Sequence, residues 1–277
     1  MMSKSEWWGM PARRAPDALA GARLRAWSLR DSPRSGNLPG HLSEVDPGDR
    51  PAPARFHDGT LEALKWIALL LMVGDHVNKY LFNWEFPWLF NAGRVVMPVF
   101  ALVMGYNLAR PGLGREGFRR IMTRLAVVGL VSTPVFIALG KLYMGWYPLN
   151  ILFMLLVAVA AIDQIERGQP VNYLAAGALL LIGGAFVEYW WPGVLLVLCS
   201  WRYFRRGSLL AAFGAVVVLG LLTLINGNAW AFAAVPLILL AHFVRVGVPR
   251  SRWAFYAFYP AHLAVLLAVQ WLGLWSL

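Results

Sequence analysis

Cysteine is nearly missing from this chain. The single Cys199 excludes an intramolecular disulfide, and its place in an apolar run marks it as a small buried hydrophobe. Charge is scarce too: 14% of the 277 residues are charged and 59% are hydrophobic, far too apolar for a soluble domain of this size. No Cys/His set has metal-ligand spacing, no glycine-rich loop could cradle a phosphate, and no G-x-S-x-G elbow presents a serine. Neither a metal site nor a permanently bound cofactor is expected. The alternating ten-residue segments of an outer-membrane barrel are missing. So is an internal repeat, which disfavours an inverted-repeat transporter. Residues 1–60 lack the apolar stretch of a secretory signal, and Arg13-Arg14 is not followed by one, against a Tat signal. With nine Lys/Arg, seven Asp/Glu and seven Pro, this part reads as a disordered cytosolic tail, with a weak amphipathic stretch at Arg23 to Leu29.

What the chain does have is apolar runs near 20 residues long, the length a helix needs to cross a bilayer core. Nine can be delimited, at 61–82, 93–109, 119–140, 148–163, 171–190, 193–204, 208–225, 229–244 and 253–274. The sixth is short. The expected fold is all-α: a polytopic integral membrane protein of about nine transmembrane helices, occupying residues 61–277. The net charge of +11 is distributed one-sidedly. With the tail inside, 22 of the 25 Lys/Arg fall at inner ends, leaving Lys79, Arg94 and Lys141 outside. That is the positive-inside pattern, and it replaces nucleic acid as the account of the charge. It predicts a cytoplasmic N-terminus and an odd number of spans. Trp84, Trp88, Trp146, Trp190, Trp191 and Trp230 would form an interfacial belt at the outer ends.

The first run, LKWIALLLMVGDHVNKYLF from Leu64 to Phe82, carries the adjacent Asp75 and His76, with Lys65 at its inner end. Ionisable groups in a bilayer cost on the order of 2.5–3.5 kcal/mol each, so a helix that keeps two in tandem has a use for them. Lys65 and His76 are separated by ~16 Å at ~1.5 Å per residue. Asp75 and His76 point about 100° apart and cannot pair with each other. Asp75 can instead reach Lys79 at i+4, or Arg94 across the turn to the next span. His76 is either a general base or a hydrogen-bonded strut between helices. His262 in the ninth run sits at a similar depth, which favours a shared polar cavity. Asn150 and Glu188, at outer ends, are substrate-contacting or merely interfacial. Arg119, Arg120 and Arg124 either fix topology or bind the phosphates of a cytosolic nucleotide cofactor, as bidentate guanidinium groups can.

Several stretches resemble the TraX family of conjugal-transfer proteins, the pilin N-acetylases. They are LKWIALLLMVGDH, GRVVMPVFALVMGYNLAR, NILF at Asn150 to Phe153, Glu188-Tyr189, and FYAFYPAHLAVLL. They run in order through residues 61–277. The first run also resembles the membrane acyltransferases that acetylate surface glycans, with a basic residue eleven positions before a histidine. The resemblance implies a multi-pass acetyltransferase of the bacterial inner membrane. Acetyl-CoA would enter as co-substrate from the cytosol, and a pilin subunit or another amine or hydroxyl acceptor would reach the histidine from the other side. It implies His76 as base, His262 orienting it or holding the thioester carbonyl, and Asp75 with Arg94 bracing the site. Asn150 and Glu188 would contact substrate, and Lys65, Arg119, Arg120 and Arg124 would hold the CoA phosphates. A non-enzymatic component of a conjugation or secretion apparatus and a proton-coupled transporter are the alternatives. Membrane lipid is the remaining expected partner, and no nucleic acid is expected.

Overall fold

The computed structural model describes residues 56–273. The tail read at 1–60 lies outside these residues except for its last five, of which Asp58 to Thr60 already belong to the first helix. Among the described residues regular structure is helical, apart from two isolated bridges, Tyr143–Tyr147 and Leu149–Val187. Helix α1 is Asp58–Tyr80, α2 Pro87–Gly93, α3 Val96–Leu108, α4 Arg115–Leu139 and α5 Ile151–Arg167. Helix α6, Pro170–Ala178, runs through a π-turn at Leu179–Gly183 into α7, Gly184–Phe186. Then follow α8 Trp190–Arg206, α9 Leu209–Asn226, a 3₁₀ turn Trp230–Ala233, α10 Ala234–Phe243 and α11 Arg252–Trp271.

Each of the nine apolar runs is helical, but nine spans do not follow from that. Among the described residues four helical stretches are long and apolar enough to cross a membrane: Pro87–Leu108, Arg115–Leu139, Leu209–Asn226 and Trp253–Trp271. Helix α1 has 23 residues, yet Glu62, Lys65, Asp75 and Lys79 interrupt its apolar surface. Helices α5 and α8 have 17 residues each, about 25 Å at ~1.5 Å per residue against a core of ~30 Å. The stretches Pro170–Phe186 and Trp230–Phe243 are shorter apolar helices. The second run, expected from residue 93, follows the aromatic stretch WEFPWLFN, which its Trp and Pro content marks as an interfacial loop. Part of that loop is α2, which begins on Pro87 at a position where proline's missing N–H costs nothing.

Local chemistry sets the ends. Asn150 caps α5 by accepting from Leu152 N–H, and Ser208 caps α9 by accepting from Ala211 N–H. Gly168 and Gly207, at φ 73° and 62°, stop α5 and α8 in the left-handed conformation. The core lies where α1, α3, α5 and α8 meet, with Met97, Val99, Met154, Val159, Ile162, Val194 and Val197 almost wholly buried. Helices α3 and α8 touch through Gly105, where a Cβ would stand 2.6 Å from Ser200 Cβ and from Trp201 N. Outward faces are apolar as well. Leu130 on α4, Leu174 on α6 and Leu210 and Leu224 on α9 are 63%, 75%, 80% and 80% exposed. Bare leucine faces of this extent need a lipid solvent, and the chain is a membrane protein. Cys199 is half-buried on α8, with Gly214 of α9 packed beside its sulfur.

Candidate functional site

The polar interior has two layers. The first braces α1 against α2 and α3. Asn78 is fully buried and grips the backbone of Phe86 with both ends of its amide: Nδ2 donates to the carbonyl at 2.8 Å, and Oδ1 accepts the N–H at 3.0 Å. This clasp folds α2 back along α1. Gly93 then lies so close to Asp75 that a Cβ there would be 2.5 Å from Asp75 Cβ and Cγ. Arg94, at the α2–α3 junction, donates from Nη2 to Asp75 Oδ2 at 2.7 Å, both side chains being 13% exposed. Its Nε donates to the Phe90 carbonyl at 3.1 Å, its guanidinium lies 4.3 Å from the Phe90 ring centroid, and Nη1 reaches Asn226 Oδ1 at 3.5 Å. Asp75 therefore pairs with Arg94. Lys79 forms no ion pair with it and instead lies over Tyr80, 4.9 Å from the ring centroid.

The second layer is the histidine pair. His76 Nδ1 and His262 Nε2 are 2.9 Å apart, with the rings nearly parallel. His262 Nδ1 lies 3.0 Å from the Phe258 carbonyl oxygen one turn back on α11. A carbonyl can only accept, so His262 carries its proton on Nδ1. In a neutral ring its Nε2 is then the acceptor, and His76 donates from Nδ1. The lone pair left over is on His76 Nε2, which has no hydrogen-bond partner among the described residues. The chain of bonds from Phe258 through His262 thus fixes the tautomer that leaves His76 able to accept a proton. Tyr80 packs edge-on against His76, and Tyr259 edge-on against His262.

A cavity of about 380 Å³ leads towards this pair, within the usual range of ~300–1,000 Å³ for small-molecule sites. Its mouth holds Lys65, Arg120, Arg124 and Arg250, and its interior is largely apolar. Helix α1 contributes Lys65, Leu69 and Met72 to the wall. These positions advance by four and three residues, and His76 is the next step of the same stripe. Helix α11 contributes Phe255, Tyr256 and Tyr259, and His262 is the next position on that stripe. Helix α4 adds Gly117, Arg120, Ile121, Arg124 and Leu125. Neither imidazole lines the cavity itself; Tyr259, which does, packs edge-on against His262.

The TraX protein family profile matches residues 60–270. Protein TraX of Escherichia coli is 32% identical over 222 residues, spanning 75% of this chain and 86% of that protein. Protein TraX of Escherichia coli strain K12 gives the same identity and coverage. The chain belongs to the TraX family. No solved structure matches it.

In this TraX-family chain the remaining expected site residues are dispersed. Asn150 is wholly buried and its amide is committed: besides capping α5, it donates to Gly129 O and Thr133 Oγ1 on α4, both at 3.1 Å. Glu188 is held beside it, because its N–H donates to Leu149 O at 2.9 Å and its carboxylate faces the Ile151 N–H at the start of α5. It also interacts electrostatically with Lys79 and Arg94. Arg119 is exposed and lies off the cavity, whereas Arg120 and Arg124, one turn apart, line it. Sequence reasoning missed Asn78, Glu62, Arg250 and Tyr259 as individuals. Glu62 is 3% exposed and ties the mouth together, with Oε1 2.7 Å from Lys65 Nζ and 4.0 Å from Arg250 Nε. Lys65 also lies 4.1 Å from the Phe255 ring centroid, and Arg124 5.1 Å from that of Trp253.

Proposed function

We propose that the protein is an inner-membrane acyltransferase that moves the acetyl group of acetyl-CoA to the N-terminal amine of a conjugative pilin. The observation that carries this reading is the convergence of two helical stripes, Lys65–Leu69–Met72–His76 and Tyr256–Tyr259–His262. They run from a basic cavity mouth to a bonded imidazole pair with one free lone pair. In this reading the basic end faces the cytosol and about nine helices lie in the membrane, the short and charged ones packed inside the bundle. Lys65, Arg120, Arg124 and Arg250 bind the CoA phosphates, and the narrow apolar interior takes the pantetheine arm. Arg119 stays outside the donor site as a topology-setting charge. Asp75 with Arg94, and Asn150 with Glu188, hold the helices that frame the acceptor side.

The amine lone pair attacks the thioester carbonyl carbon while His76 Nε2 takes the proton from the attacking nitrogen. The tetrahedral intermediate collapses by breaking the C–S bond, and the departing thiolate recovers that proton from the imidazolium. His262 keeps Nδ1 of His76 occupied throughout and is a positioning residue. The products are the acetylated amine and free CoA.

The test uses the full chain purified in detergent. Acetyl-CoA at 100 times its Kd should stabilise it by about 2.7 kcal/mol through mass action, and a peptide with a pilin N-terminus should be acetylated. His76→Ala should lower the rate on the order of 10²–10⁴-fold while leaving stabilisation by acetyl-CoA intact. No stabilisation and no transfer would make the protein a non-enzymatic membrane component. Substrate-linked proton movement in vesicles would make it a transporter. Full activity in His76→Ala with none in His262→Ala would reverse the roles of the two imidazoles.

A further inference from the structure

Acyl transfer from a thioester puts negative charge on the carbonyl oxygen, and a site in a dry interior needs a hydrogen-bond donor aimed at that oxygen. The imidazole pair cannot supply one, because both of its N–H groups are committed, to His262 and to the Phe258 carbonyl. Lys65 is held by Glu62 at the mouth, and Arg120, Arg124 and Arg250 are at the mouth as well. The neighbouring hydroxyl of Tyr80 is sealed from the cavity.

Resting on the acyl-transfer reading, we propose that Tyr259 is a further catalytic residue, whose phenol O–H donates to the thioester carbonyl oxygen as that oxygen becomes negative. Three observations place it there. Tyr259 lines the cavity, one turn along α11 from His262, and its ring packs edge-on against His262 with 5.4 Å between centroids. It is only 4% exposed. No hydrogen bond joins its hydroxyl to any described residue, and unlike the hydroxyl of Tyr80 it is not among the fully enclosed unpaired groups, as fits a side chain on the cavity wall. A donor held without a protein partner, beside the histidine that orients the base and on the wall of the donor cavity, is suited to an oxygen that arrives with the substrate. Tyr259 keeps its proton through the reaction. The hydrogen bond strengthens as the tetrahedral intermediate forms and weakens as the C–S bond breaks, so the proton balance of the transfer is unchanged.

Tyr259→Phe removes only the hydroxyl and leaves the packing of the ring. The full-length variant should lose on the order of 10²–10³-fold in kcat, the usual effect of deleting one such donor, with KM for acetyl-CoA and stabilisation by acetyl-CoA unchanged. A second measurement separates a donor from a packing residue. Acetyldithio-CoA, with sulfur in place of the carbonyl oxygen, is a poorer acceptor and should slow the wild type. It should slow Tyr259→Phe much less, because the bond it weakens is already gone. Equal slowing of both proteins, or a full kcat in Tyr259→Phe, overturns the proposal while leaving acyl transfer standing. A wild type that transfers no acyl group overturns the acyl-transfer reading itself, and this proposal with it.

Discussion

The Asp75–Arg94 pair gives a prediction whose asymmetry can be worked out from its surroundings. Breaking a buried ion pair by removing one partner costs about 3–5 kcal/mol, because the other charge is left unpaired. The two partners are not equally dependent. Arg94 would keep the Phe90 carbonyl, the Phe90 ring and Asn226 if Asp75 were neutralised. Asp75 has no other hydrogen-bond partner and only the more distant charge of Lys79: Oδ2 goes to Arg94, Oδ1 is buried without a partner, and Gly93 closes over the side chain. Arg94→Gln should therefore sit at the upper end of the range and Asp75→Asn at or below the lower end. For a domain of this size each kcal/mol moves the melting temperature by about 2–4 °C, so Arg94→Gln should melt on the order of 10 °C lower. The double variant carries no unpaired charge and should recover part of the loss, with a coupling of about 2 kcal/mol. The assay is thermal melting of detergent-purified protein, read by fluorescence-detected size exclusion across the four members of the cycle. Strictly additive losses would refute the pairing and pass the role of partner to Lys79. Equal losses in the two single variants would refute the asymmetry argument and leave the pairing intact.

Two further outcomes follow from single contacts. Asn78→Ala removes both bonds to the Phe86 backbone and should cost about 1–3 kcal/mol, since one buried donor and one buried acceptor lose their partner; an unchanged melting temperature would show that α2 needs no clasp. Arg250→Gln takes one of four cations from the cavity mouth and should raise the KM for acetyl-CoA several-fold at unchanged kcat, measured with the full chain; an unchanged KM would place the phosphates elsewhere.

The apolar runs were enough to locate all nine helical segments, because a membrane helix announces itself by length and composition alone. What they could not separate is a helix that spans unaided from one that needs its neighbours. That distinction depends on which side chains of α1, α5 and α8 are covered, and covering is a tertiary property. Helix α2 was hidden because WEFPWLFN also reads as an interfacial aromatic loop, although Pro87 is a legitimate first helical residue. Asn78 left no trace, since its partner is backbone and backbone has no sequence signature. The eleven-residue step from Lys65 to His76 was legible as helical phase. The same phase distinguishes Arg120 and Arg124, four apart on one face, from Arg119 about 100° away. Arg250 was masked for a different reason. A charge count assigns arginines to a side of the membrane, and within a basic loop it cannot say which one turns towards a cavity.

The polar groups of the interior divide by whether their bonding capacity is used up. Asn78, Asn150 and Arg94 are consumed by protein partners, and each joins elements that would otherwise drift apart. His76 Nε2, the Tyr259 hydroxyl and the cations of the mouth keep capacity in reserve, and they share one path from the basic end to the histidines. Unused polar capacity is expensive where lipid surrounds the bundle, and it brings no stability. Unpaired capacity also occurs off this path, at Asp75 Oδ1, the Tyr80 hydroxyl and Trp201 Nε1, so it is the alignment of the groups, and not their lack of partners alone, that carries weight. Their retention in line, cation then hydroxyl then base, is what a ligand with an anionic head, a carbonyl and a reacting proton would complete.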